Sequence, residues 1–490
     1  MPTTLRKSAD PLAARADLLV VCVPAPPSLD GPAAALDAAL GGVVARAIKD
    51  GEIDGKPRSS TVFHGAGGLA APRAVVVGVG EGGADDWRAA GSSAAQAAAR
   101  VRARSVALAP PPEAGVAEVG ALIEGLGTGL YRFDRYKTTG EAKQKAPRVR
   151  RVAVHSPALR AVDVRRADRI VEAVNGARDL ANTPSSDLTP TDLAARAREL
   201  ADATPGLSCT VLGRSRLEKL GAGALLGVAR GSDEPPRMIV LRYRPEGVAR
   251  EGEVLGLVGK AVTFDSGGIS IKPSGGMEEM KLDMAGGAAV LHGTALVAAL
   301  GLPVEILAVV PATENMPSGH AVKPGDVLTA LNGRTIEVIN TDAEGRLILA
   351  DGLAYAAREG ATRLIDMATL TGAIVVALGE VYAGLFGTDD AWTALVREAA
   401  DESGDLAWPM PLHERYRPLI ESKVADLTNS SNKRQAGAVY AAQFLREFTD
   451  GLPWCHLDIA GAGMVDGQGT GFGVRLILAI AERLASPRPG

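Results

Sequence analysis

The chain has 490 residues, enough for two or three domains, and its 46% hydrophobic but only 4% aromatic content predicts large aliphatic cores. A net charge of −4 argues against a generally basic, nucleic-acid-binding surface. Three scattered cysteines, Cys22, Cys209 and Cys455, contain no CxxC pair and leave an odd count, which speaks against a disulfide framework and fits a reducing, cytoplasmic setting.

Near the start, Arg6 and Lys7 precede an apolar run at 18–23, the rough outline of a signal peptide. Asp10, Arg15 and Asp17 interrupt it, and the run is short and β-branched, so a buried strand is expected instead. No stretch approaches roughly eighteen uninterrupted apolar residues, and no membrane span is expected. Residues 1–150 alternate: strand 18–23, helix 34–50, strand 73–80, helix 87–104, strand 105–108. Gly78, Gly80 and Gly83 have the spacing of a dinucleotide fingerprint, but no acidic ribose partner stands about twenty residues on, so a plain tight turn is the stronger reading. A charged stretch over 138–151 reads as a loop. A helix over 160–180 reads as a bridge, ended by Asn182-Thr183-Pro184-Ser185-Ser186.

Beyond the bridge the pattern alternates again. Helices are expected at 192–203, 217–220, 286–300 and 438–448. Strands are expected at 208–212, 237–242, 254–258, 304–310, 335–339, 363–367 and 456–459. Such alternation implies an α/β fold with a largely parallel sheet covered on both faces. Most candidate ligand residues fall at strand C-termini or just beyond, where open α/β sheets bind ligands.

The densest chemistry is Asn340-Thr341-Asp342-Ala343-Glu344-Gly345-Arg346-Leu347. Acids at i and i+2 leave one side of an extended segment, so Asp342 and Glu344 can converge on one point. Arg346 then sits at a helix start, where backbone N–H groups favour an anion. Upstream, Lys260 ends the apolar run 254–258 and Asp265 is expected in the loop behind it, before Gly267-Gly268; Lys272 and Asp283 follow. Burying these charges unpaired would be costly, and bound metal ions explain them most simply.

These segments resemble the leucyl (cytosol) aminopeptidases, a family of dimetal exopeptidases. The octapeptide is that family's hallmark, and the Lys260–Asp265–Lys272–Asp283 series matches its upstream segment. Further matches are Glu314-Asn315-Met316-Pro317-Ser318-Gly319, Lys323-Pro324-Gly325-Asp326, Ala368-Thr369-Leu370-Thr371-Gly372-Ala373 and His456-Leu457-Asp458-Ile459-Ala460-Gly461. The likeness is close over roughly residues 165–485 and loose before them. It implies a smaller macro-domain-like α/β domain at 1–160 that serves assembly, a bridging helix at 161–180, and a dimetal catalytic domain at 181–490.

The resemblance also implies roles. One metal falls to Asp265, Asp342 and Glu344 with the Asp342 carbonyl, the other to Lys260, Asp265, Asp283 and Glu344. Lys260 must then be a neutral amine, its pKa depressed by two dications. Four carboxylates match two divalent ions in charge, and Zn²⁺, Mn²⁺, Mg²⁺ or Co²⁺ all suit the donors. A water acidified by both metals attacks the N-terminal peptide bond, Lys272 steadies the oxyanion, and Arg346 holds a bicarbonate as general base. Met280, Thr369, Gly372 and Ala460 form a pocket for Leu or similar apolar residues, with Leu370 giving a backbone contact. Short peptides are the implied substrates and a homohexamer the implied assembly.

Gly275-Gly276, Ala285-Gly286-Gly287 and Gly463-Met464 depart from the family pattern without removing a ligand. Each residue also has a plainer reading: Lys272, Glu278 and Lys281 as surface charges, Asp326 as a turn residue, Met280 as core, and His456 as a satisfied buried histidine. Two other functions compete. A dimetal phosphoesterase could also use four carboxylates and a lysine, but it would be expected to offer more cationic or histidine groups for phosphate, and no P-loop is present. A DNA-binding regulatory role, found in some relatives, is disfavoured by net acidity and testable by salt-dependent gel shifts.

Overall fold

The structure, a computed structural model, describes residues 3–6, 11–65, 68–139, 149–248, 250–433 and 435–486. Two compact units divide at Asn175 and Gly176, inside the helix Ala161–Asn182.

The first unit is built on six strands: β1 (Thr3–Arg6), β2 (Leu18–Val23), β3 (Ser60–His64), β4 (Arg73–Gly78), β5 (Ser105–Ala109) and β6 (Arg151–His155), in the order β1-β6-β5-β2-β4-β3. Only the β3–β4 pair is antiparallel. Strand β2 is buried throughout because its alternate residues enter two different cores, Leu18 and Val20 on one face and Leu19 and Val21 on the other. The helix expected over 34–50 is two helices, Gly31–Ala39 and Val43–Lys49, meeting at 112°. Gly41 and Gly42 between them hold φ of +71° and +83°, the left-handed conformation that ends helices. Most of the expected 138–151 loop lies outside the described residues, and its last residue opens β6. The Gly78–Gly80 turn is closed against a phosphate. Its N–H groups are spent inside the fold, Gly78 on Ser59 O, Val79 on Val23 O and Gly80 on Gly55 O, and none of the three is left for a phosphate.

The second unit carries β7 (Leu207–Leu212), β8 (Arg237–Tyr243), β9 (Val254–Gly259), β10 (Ala261–Asp265), β11 (Glu305–Asn315), β12 (Val327–Thr329), β13 (Thr335–Glu337), β14 (Arg363–Ala368), β15 (Ala383–Gly387), β16 (Ala407–Pro409), β17 (Leu427–Thr428) and β18 (Trp454–Asp458). The large sheet runs β16-β15-β18-β14-β9-β11-β8-β7, with β10 beside the far half of β11. Its centre, β18-β14-β9-β11, is parallel; β15 against β18, and β8 against both β7 and β11, are antiparallel. Apolar helices cover the sheet. Ala285–Ala299 is buried over nearly its whole length, and Gly345–Arg358 is buried from Gly345 to Ala356. As a continuous segment, Met277–Ala299 alone among the described residues is long and apolar enough to cross a membrane, and 89% of that window is buried inside the unit.

Two local expectations need correction. Asp265 closes strand β10, paired with β11, instead of lying in a loop. The segment after β13 is a tight turn, not an extended strand: Asp342 N–H donates to Asn340 Oδ1 at 2.9 Å, and Glu344 already has helical φ and ψ of −74° and −34°.

Candidate active site

Lys260 occupies the single residue between β9 and β10, at the C-terminal end of the parallel strands. Its backbone is pinned twice, donating to Met367 O at 3.1 Å and accepting from Gly287 N–H at 2.7 Å. Its side chain runs against the first turn of helix Gly345–Arg358. A Cβ at Gly345 would come within 2.6 Å of Lys260 Nζ, so the octapeptide needs glycine there. The ammonium, 3% exposed as a residue, lies 2.8 Å from Asp283 Oδ1 and 2.9 Å from Glu344 Oε1, and donates to Thr369 O at 2.9 Å.

A second lysine repeats the pattern nearer solvent. Lys272 Nζ lies 2.8 Å from Asp265 Oδ2 and 2.5 Å from Asp342 Oδ1. Lys272 is half-buried, while Asp265, Asp283 and Glu344 are buried. Asp265, Asp342 and Glu344 bring ligand oxygens within 4.8 Å of one another, the spacing of a metal-binding group.

Electrostatics follow from crowding. Burial dominates for Glu344 and Asp283, and the charge of Asp265 adds to it; both carboxyls are held above the ordinary range although Lys260 pulls them down. Asp342 is raised for the same reasons, burial first and Asp265 next. For Lys260, burial favours the neutral amine, but Asp283, Glu344 and Asp265 overcome it and raise its pKa. Lys272 is likewise raised, its burial outweighed by Asp265 and then Asp342. Four acids facing two lysines leave negative charge uncompensated. Asp283 Oδ2 and Glu344 Oε2 are buried without any hydrogen-bond partner. Such orphaned oxygens are costly, and divalent cations satisfy them in both charge and donor chemistry. The residues fit a two-ion site.

A cleft of about 280 Å³ opens over this cluster. All five expected metal-ligand residues and Lys272 line it, as do Met280, Thr369, Leu370, Gly372 and Ala460. Glu279, Leu282, Thr371 and Val375 also line it without having been expected in the site, as does Met464 of the departing Gly463-Met464 pair. Arg346 lies apart from that lining. It is buried at 4% exposure, donates through Nη1 to Asn429 O at 2.7 Å, and stacks 5.3 Å from the Tyr440 ring centre, while its buried Nε has no hydrogen-bond partner. Asp326 caps the Lys323 turn at 3.1 Å, and Glu278 is exposed. His456 also lies outside the cleft lining; its Nδ1 is 2.6 Å from Asp366 Oδ1, but its Nε2 is unpartnered, so it is only half satisfied.

Supporting residues surround the cluster, and of these only Thr369 was expected in the site. Asn315 donates to Asp265 Oδ1 at 2.8 Å and to Thr341 O at 3.0 Å, orienting one acid against the octapeptide turn. Asn429 accepts from Ile339 N–H and donates to Asn340 O and Ala343 O, clamping that turn from outside. Asp458 accepts from Leu370 N–H at 3.1 Å and from Thr371 Oγ1 at 2.6 Å, fixing the loop that forms one wall. Thr369 Oγ1 donates to Asp283 Oδ1 at 2.7 Å. Asn315, Asp458 and Thr369 stood inside quoted motifs, so their place was visible though the bonds were not.

Known proteins share this fold and much of this sequence. Residues 175–478 match the cytosol aminopeptidase family catalytic domain, and residues 20–140 its N-terminal domain. A probable cytosol aminopeptidase of Solibacter usitatus is 48% identical over 423 residues, covering 85% of this chain and 86% of its own. Another, from Burkholderia pseudomallei, is 42% identical over 485 residues, covering 96% and 95%. Among solved structures, the bottromycin maturation enzyme BotP in complex with Mn superimposes with a TM-score of 0.84 at 35% identity, covering 96% of this chain and 100% of that one. A tomato leucine aminopeptidase variant gives 0.88 at 32% identity, covering 99% and 96%.

Proposed function

The chain belongs to the cytosol aminopeptidase family and is a metal-dependent aminopeptidase; from that premise we propose that it releases leucine and similar apolar residues from short peptides. The observation carrying this reading is the cluster of two lysines, each bracketed by two carboxylates, with two buried carboxylate oxygens left unpartnered. Asp265, Asp342 and Glu344, with the Asp342 carbonyl, would hold one ion; Lys260, Asp265, Asp283 and Glu344 would hold the other. Zn²⁺ and Mn²⁺ are the favoured ions, with Mg²⁺ or Co²⁺ as substitutes. When bound, the two ions supply Lewis-acid polarisation of the scissile carbonyl and an acidified water.

The chain's own residues supply the rest. The Lys272 ammonium, its side chain 20% exposed, faces the cleft and would neutralise charge developing on the carbonyl oxygen. Met280, Thr369, Gly372 and Ala460 offer small or apolar surface for one substrate side chain. Leu370 N–H is already spent on Asp458, so its contact with substrate would come from its carbonyl. A bicarbonate held by Arg346, whose Nε lacks a partner, would supply the proton acceptor that no spare carboxylate provides.

We place the enzyme in the cytoplasm as a homohexamer. A partner copy would cover some of the apolar side chains left exposed, such as Val376 at 90%, Val381 at 63% and Trp408 at 48%. Light scattering showing a stable monomer would sink that part.

The test of the activity is cleavage of leucine p-nitroanilide by metal-stripped protein with Mn²⁺ or Zn²⁺ restored. Turnover should return with metal, disappear in Asp342→Asn and spare an N-acetylated substrate. Folded protein that is inactive with every metal would overturn the reading.

A further inference from the structure

A second concentration of charge lies in the first unit, far in sequence from the cleft residues. A groove of about 460 Å³ opens over the sheet face at β1, β6 and β5. Strand register explains the hollow. Thr4 of β1 and Ala107 of β5 both pair with Ala153 of β6, so three short side chains adjoin across three strands.

The rim is basic. Arg6 pairs in register with His155 at one end of β6, and Arg150 and Arg151 stand at the other end. The two ends are about 13 Å apart at 3.3 Å per residue, within joint reach of long side chains. Arg15 enters from the segment that follows the turn Pro11–Ala13. All four arginines are exposed, and among the described residues none makes an ion pair. No carboxylate lines the groove among the described residues. Asp17, which feels the charge of Arg151, is already committed to the Arg104 and Ser105 N–H groups at 2.7 and 3.0 Å. In a chain of net charge −4, this uncompensated cluster runs against the average.

We propose that this groove binds a compact phosphorylated anion, its phosphoryl groups held by Arg6, Arg15, Arg150 and Arg151. Guanidinium forks match phosphate oxygens two at a time, and an anion relieves the mutual repulsion of four cations around one hollow. The volume suits one small ligand. The short-side-chain floor leaves room for a group attached to the phosphates, so the phosphoryl chemistry could come from a nucleoside diphosphate or from free pyrophosphate.

The experiment is calorimetric titration of the full-length metal-loaded protein with ADP, pyrophosphate and adenosine at fixed ionic strength. ADP and pyrophosphate should bind and adenosine should not. Tighter ADP than pyrophosphate would identify a nucleotide ligand, and equal affinity a simple phosphate chain; both support the proposal. Arg6→Ser/Arg151→Ser should weaken ADP at least tenfold with leucine p-nitroanilide turnover unchanged, and Arg15→Ser is the substitute if the double variant fails to fold. Asp342→Asn should leave ADP binding intact. The proposal is overturned if adenosine binds as well as ADP, or if the wild type binds neither phosphate. It also falls if binding disappears in Asp342→Asn but survives in the arginine variants, which would place the ligand on the cleft metals.

Discussion

The second unit buries two kinds of carboxylate, and they differ in how their oxygens are used. Asp351, Asp366 and Asp458 are fully enclosed, and both oxygens of each are engaged. Asp351 accepts from Leu225 N–H and Leu331 N–H, each at 2.8 Å. Asp366 holds His456 and the Trp454 indole N–H, and Asp458 holds the Leu370–Thr371 loop. In the cleft, Asp283 and Glu344 each keep one buried oxygen unpartnered, and their other oxygens lean on Lys260. Asp351, Asp366 and Asp458, with every oxygen spent on backbone, ring or hydroxyl donors, are struts. Asp283 and Glu344, with oxygens to spare, suit a cation, and Asp265, whose oxygens meet Gly267 N–H, Asn315 and the Lys272 ammonium, joins them in the cleft.

Substitution should break the two kinds in opposite ways. Asp342→Asn or Glu344→Gln removes a proposed ligand, and kcat/KM should fall roughly a thousandfold, about 4 kcal/mol of transition-state stabilisation. The metal-free protein should unfold at no lower denaturant concentration than wild type, because a repelling charge has gone. Asp351→Ala should do the reverse. It strands two buried N–H groups and should cost about 3 kcal/mol by denaturant titration, with kcat and KM per folded molecule unchanged. Loss of activity without loss of stability at Asp351 would erase the distinction.

The site was legible where its residues are neighbours in sequence. The octapeptide and the Lys260-to-Asp283 series each carry several charges within a short span, and no ordinary surface pattern explains that density. What was not legible was long-range. Asn429 meets the octapeptide turn from 89 residues away, and nothing near it in sequence marks it. The turn itself was misread as extended because Thr335-Ile336-Glu337-Val338-Ile339 has β propensity, whereas the Asn340 side chain and the Asn429 clamp stop the strand at Glu337. In the first unit, β1 and β3 are short and half-exposed, so neither produced an apolar run to recognise. The break at Gly41-Gly42 was readable from glycine alone and was lost in an alanine-rich helical pattern.

Smaller perturbations sharpen the comparison. Thr369→Val keeps the cleft's shape but removes the hydroxyl that donates to Asp283 Oδ1. Partners of proposed metal ligands typically matter by 10- to 100-fold, so affinity for the second ion should fall about tenfold, measured by competition with a chelating dye. Hydrolysis at saturating metal should then recover most of its rate.

The smallest effect per measurement is a pH slope belonging to a strut. Burial pushes Asp351 from 3.8 up to about 7, against the lowering influence of its backbone N–H partners. A carboxyl whose folded pKa is raised binds its proton more tightly in the native state. Its contribution to stability is therefore complete below about pH 4 and declines as pH rises through 7. Over that window the loss approaches about 1.4 kcal/mol per pH unit. Comparing wild type with Asp351→Asn isolates this term: the wild-type denaturation midpoint should fall relative to the variant's as pH climbs from 5 to about 7, since the amide never ionises. A constant gap between them across that range would mean Asp351 is charged in the native state at every pH, held so by the N–H groups of Leu225 and Leu331.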